Sequence, residues 1–409
     1  MAGERQLERR ICFRLTNILA ERSVLMGSKL VSSAVRLLLL GFLAFLFYYG
    51  DQLHVTFDYP HKGLFDNVYV RLAKGCILVL LVIEILRCYY YGIVKNPKPP
   101  KVLGNLATLF VPLVGLLVVL EIAFMCISQS QEGGLTLASH IWFERYWPPM
   151  VGDYRDTPKV DTVGKKNVLV VGDSFTSGHG LKSADERYGN ILSEKLGTKE
   201  YVTYNLGISG SDTRDEYARL VKFGKTPAVL VLQYFPNDIE KVARDHGLVP
   251  SGFEPYSDVP RPIQSLFIKS YLLNYLYWQF PHGNFAPFDT YARTAYGTPA
   301  IINDHLSDLN KFITYAQEHN ARFYVVMFPF SHNIEKTAVY VKPVVDFFQR
   351  SNVPILDVGK LMGDIPPNDR VVGRNDGHAS ALVNQRVGDA LFRLIQSNPG
   401  TVQAPSVNK

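Results

Sequence analysis

Cysteine is scarce in this chain. Its 409 residues include four, namely Cys12, Cys76, Cys88 and Cys126, all within the first third. The remaining two thirds therefore has no thiol to pair or to ligate a metal, which excludes a disulfide-framed or cysteine–zinc domain there. The ten histidines are scattered, without a His-x-x-x-His spacing, so no metal site and no cofactor are expected. Phosphate-binding signatures are missing as well: there is no Gly-x-Gly-x-x-Gly, and no Gly-Lys-Ser/Thr closes a glycine-rich turn. A net charge of +6 could suit nucleic acid, but the basic residues flank apolar runs instead. Arg5, Arg9, Arg10, Arg14 and Arg22 precede the first run, and Lys95, Lys98 and Lys101 separate the second from the third. No nucleic-acid partner is expected.

Apolar residues are abundant, and their placement divides the chain. They make up 47% of it but crowd the region before Gly152. Residues 30–49, 75–92 and 102–127 each approach the ~20 apolar residues needed to cross about 30 Å of hydrocarbon. Three transmembrane helices are predicted, within a membrane region 1–128. A cleaved signal peptide does not fit, because Phe45-Leu46-Phe47-Tyr48-Tyr49 is no small-residue cleavage site. Glu84 and Arg87 share a helix face and are expected to pair; Arg36 and Glu121 are the other charges in these segments. The Lys/Arg bias places the N-terminus inside, so that three crossings leave everything after residue 127 outside the cytoplasm. The bilayer is thus an expected partner, and the expected location is the inner (cytoplasmic) membrane, multi-pass, with the soluble part on the periplasmic side.

Residues 129–166 read as an irregular linker. Its aromatics Trp142, Phe143, Tyr146 and Trp147 suit either a membrane interface or packing on the following domain. From 167 to 398, short apolar runs alternate with helical patterns. Strands are predicted at 167–171, 201–205, 228–233, 322–327 and 355–357, and helices at 188–195, 212–223, 303–319, 341–349 and 381–395. This alternation argues a parallel sheet covered on both faces. An insertion at 249–299 is rich in aromatics, including Tyr256, Phe267, Tyr271, Tyr275, Tyr277, Trp278, Phe280, Phe285, Phe288 and Tyr291. Its helical spacing predicts a helix at 263–280 whose aromatics pack as core, with the insertion shaping the mouth of the site. Residues 399–409 read as a flexible tail.

In open parallel sheets, ligands bind beyond the carboxyl ends of the strands, and those positions carry the chemistry here. Gly172-Asp173-Ser174 follows the first strand. Asn205-Leu206-Gly207-Ile208-Ser209-Gly210 follows the second, Tyr234-Phe235-Pro236-Asn237-Asp238 the third, and Asn375-Asp376-Gly377-His378 precedes the last helix. Ser, Gly, Asn and His in that order resemble the SGNH hydrolase superfamily, the GDSL-like lipases and acylhydrolases, over residues 167–395.

The resemblance implies a flavodoxin-like three-layer α/β sandwich and a serine ester chemistry. Ser174 would attack an ester carbonyl and His378 would relay the proton. The Ser174 N–H, the Gly210 N–H and the Asn237 amide would hold the oxyanion. Two positions depart from the family pattern. Phe235 stands where a Gly usually precedes the Asn, and Asn375 stands where many members carry the acid. Asp376 is the alternative acid, and its Asp-x-His spacing is similar to that of SGNH-like O-acetyltransferases acting on bacterial alginate and related glycans. Asp173 and Asp238 read as capping residues, Asp212 equally as a substrate contact or as the start of a helix, and His179 as a surface or supporting residue.

The leading expectation is an esterase or acyltransferase acting on O-acyl groups, chiefly O-acetyl, of an extracytoplasmic glycan. A transferase would require a donor, and a separate multi-pass membrane protein could supply it. The alternatives are a catalytically inactive glycan-binding or export-complex component and a lipid esterase.

Overall fold

The structure, a computed structural model, describes residues 2–49, 68–96, 98, 100–131, 136–250, 256–280, 286–331 and 333–398. It separates into two compact units, Met1–Ile127 with Asp258–Tyr277, and Ser128–Ser257 with Trp278–Lys409. The tail 399–409, together with Phe285 and the side chain of Phe288 from the insertion, falls outside the described residues.

The first unit is built on helices Ala2–Tyr49, Val68–Gly92 and Lys101–Met125. Each contains a stretch long and apolar enough to cross a membrane: Ala20–Phe45, Lys74–Gly92 and Thr108–Met125. Large apolar side chains point outward on all three, among them Leu38, Phe42, Val82, Ile85, Leu116 and Val119, as membrane helices require. Leu80 and Ile83 pack inward with Leu40, Leu106 and Phe110. Glu84 is buried and fully partnered: it accepts from Ser33 Oγ, from Arg36 Nε at 3.0 Å and from Arg87 Nη1 at 2.6 Å. A charge among apolar helices is tolerated when it is paired in this way. The first helix begins far earlier than residue 30, because no proline precedes Pro60 and the basic leader is composed largely of good helix formers.

The insertion contradicts its predicted form. A single helix over 263–280 is replaced by Arg261–Lys269 and Tyr271–Tyr277, broken at Ser270. The cause is Glu121 of the third helix. Its carboxylate accepts from the Tyr271 N–H at 2.6 Å and from Ser270 Oγ at 3.2 Å, so it caps the start of a new helix. Tyr275 packs on Phe124 with ring centroids 5.1 Å apart. Asp258–Tyr277 therefore belongs with the apolar helices rather than with the soluble domain that the sequence implied.

The second unit is an α/β sandwich. Strands β1 (Lys166–Gly172), β2 (Tyr201–Gly207), β3 (Pro227–Tyr234), β4 (Arg322–Met327) and β5 (Ile355–Asp357) form a parallel sheet in the order β2-β1-β3-β4-β5. This is the flavodoxin-like doubly wound order. Side chains alternate between faces with period two. Leu169, Val171, Leu230, Leu232, Phe323 and Val325 meet Leu220, Leu309, Phe312, Val344 and Phe348 on one side. Val168, Val170, Val229, Val231, Tyr324 and Val326 meet Tyr188, Leu192, Val383, Val387 and Leu391 on the other. Burial on both faces explains why β1 to β4 read as largely apolar runs. Truncating a central one, as in Leu230→Ala, is expected to cost about 2 to 5 kcal/mol.

Two further strands, β6 (Val371–Gly373) and β7 (Asp376–Ala379), form a separate antiparallel pair. The region 129–166 is not irregular throughout: Leu137–Tyr146 is a helix, capped by Thr136, whose side chain accepts from the Ser139 N–H.

Candidate active site

The serine turn is fixed from three directions. Gly172 ends β1, and a Cβ there would run into Thr176 Oγ1 and Gln233 Oε1, so only glycine fits. Asp173 then caps the short helix Ser174–Ser177 by accepting from the Phe175 N–H at 2.9 Å. Gln233 of β3 accepts from the Asp173 N–H at 3.0 Å, and Thr176 Oγ1 bonds Tyr188 Oη at 2.7 Å. The strand end and helix start together lift the Ser174 hydroxyl above the sheet, at the start of a short helix.

His378 reaches this hydroxyl from β7. Its Nε2 lies 2.7 Å from Ser174 Oγ, and its Nδ1 lies 2.5 Å from Asp376 Oδ1. For Nε2 to accept the serine proton, Nδ1 must carry the ring hydrogen and donate it to Asp376. The Asp-x-His spacing now has a physical basis: in an extended strand residues i and i+2 project from the same face, so β7 presents acid and base side by side. Asp376 is buried, which opposes its charge. The His378 hydrogen bond and positive charge, with His179 and the Ser130 hydroxyl, outweigh burial and hold its carboxyl down at about 2. Asn375 faces elsewhere, donating its amide to the Trp278 carbonyl. Burial raises the Asp173 carboxyl to about 6, and the fully buried Glu216 and Asp238 are raised further. None of these three hydrogen-bonds the His378 ring. The capping roles read from sequence hold for Asp173, for Asp212, which accepts from the Arg214 N–H at 3.0 Å, and for Asp238, which accepts from the Phe235 N–H at 2.9 Å.

Gly210 and Asn237 leave the ends of β2 and β3, the strands that flank β1. Gly210 has φ +76° with open space where a Cβ would stand, a backbone that favours glycine for its dihedral alone. Asn237 sits in the 3-10 turn Pro236–Ile239, and its Oδ1 is buried with no hydrogen bond. The turn is secured from behind, where Tyr296 Oη donates to the Pro236 carbonyl at 3.0 Å and bonds Tyr234 Oη at 2.6 Å. Tyr234 in turn meets His305 Nε2 at 3.0 Å, and burial lowers the His305 imidazole to about 3, so it stays neutral. Phe235 fills a wall beside the serine turn: its ring lies 4.5 Å from Phe175 and 5.0 Å from Phe330, and Phe175 lies 5.0 Å from His378.

His179 is no surface residue. It is buried, its ring is stacked on His378 at 4.1 Å with a 20° interplanar angle, and Trp142, Phe143 and Trp147 surround it within 6.3 Å. The aromatics after residue 140 thus pack on the soluble domain. Burial, followed by the charge of His378, lowers the His179 imidazole to about 4, which leaves it neutral at neutral pH. Sequence reasoning missed Ser130, Gln131, Tyr296 and His305. The aromatic run 142–147 was the one local hint that the region after the third helix approaches the site.

No protein-family model matches the chain, and no curated protein matches it. Solved structures do. A structure described as TesA is 13% identical, with 57% of this chain and 99% of that one covered and a TM-score of 0.37. A lipase/acylhydrolase from Enterococcus faecalis is 16% identical, with 57% and 96% covered and a TM-score of 0.33. An acetylxylan esterase from Geobacillus stearothermophilus is 13% identical, with 57% and 95% covered and a TM-score of 0.36. At these identities and scores the likeness assigns neither a substrate nor a residue role.

Proposed function

We propose that this chain is a membrane-anchored serine esterase or acyltransferase that acts on small O-acyl groups, chiefly acetyl, of an extracytoplasmic glycan. One observation carries the reading: the unbroken line Ser174 Oγ, His378 Nε2, His378 Nδ1, Asp376 Oδ1, with spacings of 2.7 and 2.5 Å. Serine is a weak nucleophile at neutral pH without a base in hydrogen-bond reach, and this arrangement supplies that base together with the carboxylate that orients it.

In the reaction Ser174 Oγ bonds to the ester carbonyl carbon as its proton passes to His378 Nε2. The oxyanion is held by the Ser174 and Gly210 N–H groups and the Asn237 amide. The C–O bond of the leaving alcohol then breaks, and that oxygen takes the proton from His378. Water resolves the acyl-enzyme in a hydrolase and a sugar hydroxyl does so in a transferase, with His378 again accepting the proton. The buried serine and the Phe175–Phe235–Phe330 wall favour a short acyl group. The apolar helices support anchoring, which raises the local concentration of catalyst near polymer exported at the same surface. The basic leader favours an inside N-terminus, with the α/β unit on the periplasmic face. A transferase would draw acyl groups from a multi-pass donor protein.

The test is covalent labelling of the full-length protein with a fluorophosphonate, with Ser174→Ala as control, followed by hydrolysis of acetyl and long-chain aryl esters. Serine-dependent labelling with preference for acetyl is the expected result. Labelling that ignores the substitution, or is absent, leaves an inactive binding component; preference for long chains makes the enzyme a lipid esterase.

A further inference from the structure

His378 accounts for one oxygen of Asp376, through its ring and its backbone N–H; the other is held by a residue far away in sequence. Ser130 Oγ donates to Asp376 Oδ2, a contact that spans 246 residues. Ser130 is buried, and it stands five positions after the third apolar helix ends at Met125. Its neighbour Gln131 offers its backbone carbonyl to His179 Nε2 at 3.0 Å. His179 in turn stacks on the imidazole of His378 and lies 3.6 Å from Asp376 Oδ2. The short segment Ser130–Gln131 thus touches the acid directly and the base through one ring.

Resting on the serine-enzyme reading above, we propose that Ser130 is a positioning residue for Asp376, and that the chain leaving the third apolar helix is thereby built into the catalytic site. The physical need is specific. A carboxylate can rotate about its Cβ–Cγ bond, and an acid held by one oxygen can swing off the imidazole. With Oδ1 on His378 and Oδ2 on Ser130, the plane is fixed and both oxygens of the buried carboxylate are satisfied. The hydroxyl also shares the negative charge. Without it the carboxylate would draw the His378 imidazolium more strongly, so the base would hold its proton to higher pH. His179, neutral and wedged between Trp142 and His378, keeps the base ring from tilting and donates its N–H back to the same segment.

The experiment uses the full-length protein in detergent micelles, with kcat, KM and fluorophosphonate labelling rate measured across pH for Ser130→Ala, Ser130→Thr and Ser130→Cys. Loss of a hydrogen bond to a charged group is expected to lower kcat in Ser130→Ala by about tenfold or more. KM should stay within about twofold, and the acid limb of the pH profile should move to higher pH. Ser130→Thr keeps the hydroxyl and should restore both. Ser130→Cys conserves volume but weakens the donor, so it should resemble the alanine variant even if alanine disturbs folding. A wild-type kcat and pH profile in either Ser130→Ala or Ser130→Cys overturns the proposal. So does a loss that threonine fails to restore while the pH profile stays fixed, since that marks packing alone. A wild-type protein without serine-dependent labelling overturns the enzymatic reading itself, and this proposal with it.

Discussion

The two halves of the site are held in different ways. The serine half grows out of the parallel sheet: β1 stops at a glycine, Asp173 caps the helix that follows, and Gln233 of the neighbouring strand pins the turn. The histidine half stands off the sheet on a two-stranded hairpin of three and four residues. It depends on groups brought from far away: Ser130, Gln131, His179 and the rings of Trp142 and Phe143. On the proposed assignment, the nucleophile is placed mainly by local backbone chemistry, whereas its base relies on long-range packing. Substitutions in the two halves should fail differently. Changes to the supports of the second half should loosen a group, whereas changes to the catalytic groups themselves remove one.

The sharpest way to test the contrast lies within β7. Asp376→Asn keeps shape and hydrogen bonding but removes the charge and favours the wrong imidazole tautomer. In another serine enzyme the equivalent change costs ~10⁴ in kcat, and a loss of that order is expected here. Asn375→Ala removes only the hydrogen bond to the Trp278 carbonyl and should leave kcat within about threefold of wild type. If the two substitutions exchange effects when ester turnover is measured, the acid has been misassigned and the strand-periodicity argument for β7 fails.

Legibility in the sequence follows the same division. The strands β4 and β5 match their predicted spans, and β1 to β3 differ by one or two residues at one or both ends; for β1 to β4 the reason is that runs buried on both faces carry a strong signal. Ser174, Gly210 and Asn237 stand after strand ends and His378 before the last helix, where the motifs were read; their catalytic roles belong to the proposal. The choice of Asp376 over Asn375 came from a spacing resemblance, and its cause, an extended strand projecting i and i+2 together, was not visible because β7 is too short to announce itself. Ser130 was illegible for a different reason: a lone serine in a connecting segment has no periodicity, and its partner lies 246 residues on. The break at Ser270 was hidden in the same way, since Tyr271–Tyr277 starts where Glu121 supplies a cap.

A smaller effect should come from the oxyanion side. Asn237→Ala removes one donor and is expected to lower kcat about 10² to 10³-fold with little change in KM. Asn237→Asp should be at least as damaging, because it replaces a donor with a negative charge facing the oxyanion. Steady-state kinetics on an aryl acetate checks both. An Asn237→Ala enzyme with wild-type kcat would move the oxyanion donor elsewhere and break the claim that the β3 turn belongs to the serine half.

The mildest substitution tests whether that half is as locally determined as the contrast requires. Tyr296 comes from the helix Ala286–Gly297, about sixty residues after the Asn237 turn, and its hydroxyl supports the Pro236 carbonyl. Tyr296→Phe leaves the packing and removes that bond, together with the bond to Tyr234 Oη. A net hydrogen bond contributes about 1 kcal/mol, and a buried acceptor left unpaired costs about 1 to 3 kcal/mol. The thermal midpoint should therefore fall by a few degrees, roughly 2 to 8 °C. If the Phe235-Pro236-Asn237 backbone alone aims the amide, kcat will follow wild type once the protein is folded. Because Phe235 and Pro236 replace the usual glycine-containing turn, we expect instead that the tyrosine is needed to set its angle, so kcat should drop several-fold at temperatures well below the midpoint. That result would place one long-range support in the serine half as well, and narrow the difference between the halves from kind to degree.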